Sequence, residues 1–282
     1  MNLRQLILTK NSCYLSGKKH TVKGIMVHST GANNPNLKRY VGPDDGLLGV
    51  NQYGNHWNTA RPGGKQVCVH AFIGKLKDGS IATYQTLPWD MVGWHSGSGS
   101  KGYAKNANNN GYIGFEICED GLSDPAYFMS VYREAVELCV YLCKMYGIKP
   151  ESPTLICHSE GNKLGIASNH GDVMHWFPKH GKSMDTFRAD VKAGLASGTE
   201  QPSVPDVKPT TFEPYRVRVA IPNLNIRKGP GTNFGTVGKY TGKGVFTIVD
   251  EASGTGASRW GLLKAYKQKR NGWISLDYAS KL

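Results

Sequence analysis

One stretch of this 282-residue chain, Ala196-Ser197-Gly198-Thr199-Glu200-Gln201-Pro202-Ser203-Val204-Pro205-Asp206-Val207-Lys208-Pro209, constrains the rest. Three prolines among small polar residues, without hydrophobic periodicity, read as an extended linker. Apolar residues recur at helical spacing before it, and short strand-like runs with Gly-rich turns follow it. The chain is therefore expected to form two domains, 1–197 and 212–282, joined by 198–211. A composition of 39% hydrophobic and 20% charged residues is that of a globular chain, which excludes fibrous and disordered classes. No apolar run approaches the ~18 residues of a membrane span. The opening Met1–Lys10 is too short and too polar for a secretory signal. A soluble protein made in a cytosol, without membrane insertion, is the expectation.

The first domain mixes strands and helices. Val22–Val27, Val67–Ile73, Ser80–Tyr84, Tyr112–Ile117 and Thr154–Cys157 are strand candidates, with Lys77-Asp78-Gly79 as a hairpin turn. Ser123-Asp124-Pro125 opens a helix with a capping residue and Pro at the first helical position. Phe128, Val131, Ala135, Leu138, Leu142 and Met145 then form its apolar stripe, and Gly147 and Pro150 end it. Ser183 caps a last helix that carries Met184, Phe187, Val191 and Leu195. The order implies an α/β fold, a mixed central sheet flanked by helices. Residues 212–282 hold only short strands and Gly-rich turns, which make a small all-β barrel or sandwich.

Charge is unevenly spread. Residues 1–197 carry a net +6, whereas 209–282 carry +8 in only 74 residues. Such a field attracts an anionic polymer or surface; nucleic acid, anionic lipid and an anionic bacterial wall all qualify. The six cysteines, Cys13, Cys68, Cys118, Cys139, Cys143 and Cys157, lie in apolar segments and read as buried thiols rather than a disulfide framework. Cys139 and Cys143 have a metal-capable spacing but fall on the apolar side of their helix. Cys157 and His158 are strand neighbours pointing to opposite faces, a poor nucleophile–base pair.

His28 and His158 each end a short apolar strand, so they can meet at one edge of a sheet. A third group would come from Ser168–Trp176. Three protein ligands with an open position is the pattern of a catalytic zinc.

Five segments, in order, resemble the zinc-dependent N-acetylmuramoyl-L-alanine amidases of the amidase-2 type, related in fold to the peptidoglycan recognition proteins. They are Val27-His28-Ser29-Thr30; Val69-His70-Ala71-Phe72 with Asp78-Gly79-Ser80-Ile81; Gly93-Trp94-His95-Ser96-Gly97; Ile113-Gly114-Phe115-Glu116-Ile117-Cys118; and Cys157-His158-Ser159. The resemblance implies one Zn2+ ion held by His28, His158 and Asp172. Asp172 stands further from His158 than the family spacing, so a small insertion is implied, and His170 and His175 remain alternatives as third ligand. Glu116 matches the active-site carboxylate, the proton acceptor for a zinc-activated water. His170 stands where the family often has Lys and would stabilise the oxyanion. His70, Trp94 and His95 would line the substrate cleft, with core packing the alternative for His70 and loop packing for Trp94 and His95. The Asn106–Asn110 run reads as a solvated loop.

Residues 215–281 resemble a bacterial SH3 domain of the wall-binding kind, through Leu224-Asn225-Ile226-Arg227-Lys228-Gly229-Pro230 and Asn271-Gly272-Trp273-Ile274-Ser275 with Tyr278-Ala279. Tyr240, Trp260, Tyr266 and Trp273 would supply binding surface or barrel core. The whole then resembles a peptidoglycan hydrolase of the phage or prophage endolysin type. It would be stored in the host cytoplasm, released through a membrane lesion and directed at a Gram-positive wall with its anionic polymers. A bacterial autolysin of the same chemistry, a non-catalytic peptidoglycan-binding protein, a cysteine peptidase and a nucleic-acid-binding protein are the competing readings. The last lacks any recognised aromatic–basic motif.

Overall fold

The computed structural model describes residues 1–196, 214–227, 229–232, 234–264 and 272–282. The chain divides into two compact units, Met1–Val204 and Pro205–Leu282; the linker expected at 198–211 lies outside the described residues.

The first unit runs β1 (Leu3–Gln5), α1 (Ser12–Leu15), β2 (Gly24–Asn33), β3 (Ala71–Lys75), β4 (Ile81–Gln85), β5 (Tyr112–Glu119), α2 (Pro125–Tyr146), β6 (Leu155–Cys157), α3 (His158–Lys163) and α4 (Met184–Ala196). The sheet order is β1-β4-β3-β5-β2-β6. It is mixed: β3 and β4 form the hairpin and every other pair is parallel.

Alternation along the central strands sets the two faces. Ile25 and Val27 of β2, and Ile113, Phe115 and Ile117 of β5, are fully buried with Phe128, Val131, Ala135, Leu138 and Leu142 of α2 and Phe187 and Val191 of α4. His28 and Glu116 lie between these positions and so project from the opposite face. Asp124 caps α2 by accepting from the backbone N–H groups of Ala126 and Tyr127, Pro125 follows at the first position, and Gly147 closes the helix in the left-handed conformation. At the start of α4, Ser183 and Thr186 cap one another, each backbone N–H donating to the other hydroxyl. All six cysteines are free and buried.

Three expectations are corrected. The strand foreseen at Val67–Ile73 begins only at Ala71, because Cys68 N–H donates to the Trp94 carbonyl of a loop rather than to a strand partner. β2 does not stop at His28 but runs on to Asn33, paired beyond an irregularity with Glu119. Met145, expected on the buried stripe, is 38% exposed in the last turn of α2. None of the described helices is long and apolar enough to cross a membrane.

Among its described residues the second unit is built of strands and one short 3-10 turn, Leu276–Tyr278: β7 (Tyr215–Val219), β8 (Asn225–Arg227), β9 (Thr236–Tyr240), β10 (Gly244–Gly254), β11 (Ala257–Leu263), β12 (Trp273–Ser275) and β13 (Ala279–Lys281). They form one sheet in the order β13-β7-β10-β11-β12-β8-β9, with every pair antiparallel. In β7, Val217 and Val219 are buried while Arg216 and Arg218 are exposed, the period-2 pattern of a sheet with one wet face. Val217, Val219, Leu224, Ile226, Ile248, Leu263 and Ile274 make the core. Trp260 is buried and Tyr240 is 55% exposed; Tyr266, Lys228 and Asn271 lie outside the described residues.

Candidate active site

Three electron-pair donors meet at the face of the sheet opposite α2. Nδ1 of His28 lies 3.0 Å from Nδ1 of His158 and 3.0 Å from Oδ2 of Asp172, and the third edge, His158 Nδ1 to Asp172 Oδ2, is 3.6 Å. Both histidines are nearly fully buried. Among the described residues this is the only such group of His, Cys, Asp and Glu able to hold a metal ion.

Local folding puts each donor there. His28 sits within β2, in register with Glu116 on β5. His158, expected to end a strand, instead begins α3. The Glu160 carboxylate of that helix accepts from Cys157 N–H at 3.1 Å and from both terminal nitrogens of Arg188 on α4 at 3.0 Å each. This fixes the turn that aims His158. Asp172 arrives on the irregular segment after α3, whose carbonyl accepts from Ser159 N–H.

The hydrogen bonds behind the imidazoles decide which nitrogens are bare. Nε2 of His95 lies 3.1 Å from the Tyr112 carbonyl, which can only accept, so that nitrogen carries the proton. Burial, together with the imidazoles of His28 and His70, holds His95 well below the usual histidine range. Its Nδ1 is therefore unprotonated and accepts from Nε2 of His28 at 3.0 Å. Nδ1 of His28 is then left as a lone pair. On the other side, Nε2 of His158 donates to Ser168 Oγ at 3.3 Å, and the single proton of that hydroxyl can go either to the Ser96 carbonyl at 3.2 Å or to Nδ1 of His170 at 3.0 Å.

Two bare nitrogens and a carboxylate oxygen turned on one point repel one another unless a cation lies between them. Tetrahedral zinc with ligands at about 2.0–2.1 Å separates its donors by about 3.3 Å. The observed edges bracket that value, so the donor set fits the ion.

Glu116 shares the face of His28. Its Oε2 is buried without a hydrogen-bond partner among the described residues. Burial, then the charges of Asp172 and Glu119, push its carboxyl well above the ordinary range. His170 is exposed, with Nδ1 3.0 Å from Ser168 Oγ and its ring 4.6 Å from that of His158. It stands beside the donors without joining them. His175 is likewise outside the triangle, its Nε2 2.9 Å from Glu119 Oε1.

Of the three residues expected to line a substrate cleft, His70 and His95 are placed otherwise. His70 is fully buried, its Nε2 donating to the Met91 carbonyl at 2.7 Å and its Nδ1 accepting from Gly114 N–H at 3.0 Å, so it has no free polar atom to offer. His95 supports His28 from behind. Trp94 has different neighbours from His95, stacking on Tyr103 at a centroid distance of 5.4 Å. The Asn106–Asn110 run is not simply solvated: Asn106 and Asn108 are fully buried. Oδ1 of Asn108 accepts from the backbone N–H groups of His95 and Ser96, and its Nδ2 donates to the Gly97 carbonyl. Ser168 and Asn108 were not foreseen as site residues. The sequence gives no signal for the latter, which lies in a polar Asn-rich run that reads as an ordinary loop.

Convergent histidines and a carboxylate beside a buried glutamate are the equipment of a metal-dependent hydrolase. The chain belongs to the Amidase_2 family, described as N-acetylmuramoyl-L-alanine amidase, which it matches over residues 18–174. The catalytic unit is thus that of an N-acetylmuramoyl-L-alanine amidase, acting on peptidoglycan.

Solved structures similar to it include PlyL, at 19% identity over 68% of this chain and 96% of that one, TM-score 0.46. The PlyG catalytic domain is 19% identical over 72% of this chain and 100% of that one, TM-score 0.47. The Staphylococcus aureus hydrolase AmiA in complex with its ligand is 19% identical over 69% of this chain and 85% of that one, TM-score 0.47. At these values the likenesses carry no argument about chemistry. No curated protein matches the chain.

Proposed function

We propose that this protein is a zinc-dependent peptidoglycan hydrolase that cleaves the amide between the lactyl group of N-acetylmuramic acid and L-alanine. The observation that carries this reading is the triangle of bare donors, His28, His158 and Asp172, with edges of 3.0–3.6 Å. One Zn2+ held there would supply Lewis-acid polarisation of the scissile carbonyl and an acidified water.

The chain's own residues do the rest. Glu116, whose Oε2 has no other partner among the described residues, accepts the proton of the attacking water and later delivers it to the departing amino group of L-alanine. His170 receives a hydrogen bond at Nδ1 when Ser168 donates to it, which leaves the proton on Nε2 for the developing oxyanion. Among the described residues that Nε2 has no other partner.

The second unit is proposed to be a wall-binding domain of the bacterial SH3 type. Its antiparallel sheet and its +8 charge support that role on an anionic wall. An endolysin acting on a Gram-positive wall from the cytoplasmic side after a membrane lesion is the biological setting we propose; an exported autolysin would use the same chemistry. Digestion of purified Gram-positive walls with and without EDTA tests the reaction. New L-alanine amino groups, identified by mass spectrometry and abolished by EDTA, are expected. New sugar reducing ends, or cleavage that survives chelation, would refute it.

A further inference from the structure

The first unit has a cavity of about 670 Å3 whose lining includes none of the metal donors. Lys18, Arg61 and Lys65 line it together with Trp94, Tyr103 and Cys13, and among the described residues no Asp or Glu does. All three cations are exposed, and none forms a salt bridge among the described residues. Cys13 adds no negative charge, because burial pushes its thiol up. Three like charges around one concavity repel one another, and an anion bound between them relieves that repulsion.

The aromatic pair supplies the other half of a ligand description. Trp94 and Tyr103 stack at 5.4 Å with 26° between their planes, and Tyr103 keeps 58% of its surface in solvent. An exposed ring stacked on a second, rigid one offers a flat apolar platform beside a polar rim. A sugar ring has one face of C–H groups that fits such a platform, with hydroxyls at its edge. Platform and charge together describe an anionic saccharide.

We propose that this cavity binds an anionic glycan, with a sugar ring against Trp94 and Tyr103 and its phosphodiester or carboxylate among Lys18, Arg61 and Lys65. The inference goes beyond the hydrolytic reading and rests on it only for where such a polymer is met. Trp94 precedes His95, so the cavity would hold a wall strand close in sequence to the loop that supports the metal donors.

The test is lysine acylation footprinting of the full chain, read by mass spectrometry, so that binding by the basic second unit does not confuse the result. Three probes are used: a glycerol-phosphate oligomer, an oligogalacturonate and neutral tetra-N-acetylglucosamine. Lys18 and Lys65 should be protected at least fivefold by one of the acidic probes, and the protecting probe identifies phosphodiester or carboxylate as the ligand group. The protection should disappear in the Arg61→Ala/Tyr103→Ala variant, whose hydrolysis of soluble muropeptides should stay at the wild-type rate. Equal acylation with and without saturating acidic probes overturns the proposal, as does protection by the neutral probe alone. Because binding is read without turnover, an inactive but protected chain would instead condemn the hydrolytic reading.

Discussion

Nε2 of His28 lies 3.0 Å from Nδ1 of His95, whose own Nε2 faces the Tyr112 carbonyl at 3.1 Å. Through that pair an ordinary backbone carbonyl dictates which nitrogen of His28 is free for a metal. Replacing His95 with Phe keeps the ring volume and removes the acceptor. Zinc affinity, measured by chelator competition, should fall about 10- to 100-fold. His95→Gln, which can accept from His28 and donate to Tyr112, should recover most of it. If Phe binds zinc as tightly as His, the residue merely fills space.

Gly114 gives an independent way to disturb the same support. A Cβ there would lie 2.4 Å from Cγ of the His95 ring, a distance no carbon pair sustains. Gly114→Ala should therefore displace His95 and weaken zinc binding without removing any polar group. The overpacking should also cost about 1–3 kcal/mol of stability, visible in urea unfolding.

Ligand and proton-transfer roles separate when metal content and turnover are measured on the same variants. His28→Ala, His158→Ala and Asp172→Ala should each lose most of the zinc, since two donors make too weak a site. Glu116→Gln and His170→Ala should retain it while activity drops, by roughly 100- to 1,000-fold for the oxyanion donor. Zinc kept in Asp172→Ala but lost in His170→Ala would move the third ligand to His170.

Acid should weaken the first unit through His70. Burial lowers its pKa from 6.5 to about 4, so the folded state favours the neutral ring. The associated stability is present above pH 6.5 and is lost as pH falls towards 4, up to about 3 kcal/mol. His158, lowered to about 3 chiefly by burial, adds to that loss in zinc-free protein. Urea titrations of the zinc-free chain between pH 7 and 4 should thus show a shallower decline for His70→Gln than for wild type. Parallel declines would mean that His70 contributes nothing.

Truncation after residue 196 should leave a zinc-binding unit that hydrolyses soluble muropeptides at the full-length rate but intact walls more slowly. All proposed reactive groups precede that point, and tethering changes only the local concentration of substrate. A folded, zinc-loaded truncation inert on soluble substrate would place an essential group in the second unit.

Much of this arrangement is legible from residue order, and the reasons differ by element. Asp124-Pro125 and Gly147 announce the ends of α2 because capping is local chemistry. His28 is picked out because it closes an apolar run, and Glu116 because its segment Ile113-Gly114-Phe115-Glu116-Ile117-Cys118 resembles the family's strand. His95 could not be assigned correctly, since its role depends on a carbonyl seventeen residues away and an imidazole sixty-seven residues away. His70 looks the same as a cleft histidine until its two backbone partners are known. The buried Asn108 is hidden for the opposite reason: its neighbours in sequence resemble those of any wet loop, and only the three backbone bonds it makes distinguish it.

The register of β2 against β5, which sets His28 opposite Glu116, acts as a ruler. Adjacent strands keep a spacing of about 4.8 Å whatever loops join them. The 78 residues between β2 and β5 are thus free to lengthen, shorten or acquire new surfaces without changing the distance between donor and base. What the ruler does not tolerate is a slip of one residue in either strand, which would turn that side chain towards the helices. Variation in such a scaffold is therefore expected to accumulate in loop length, while the two strands stay locked in step.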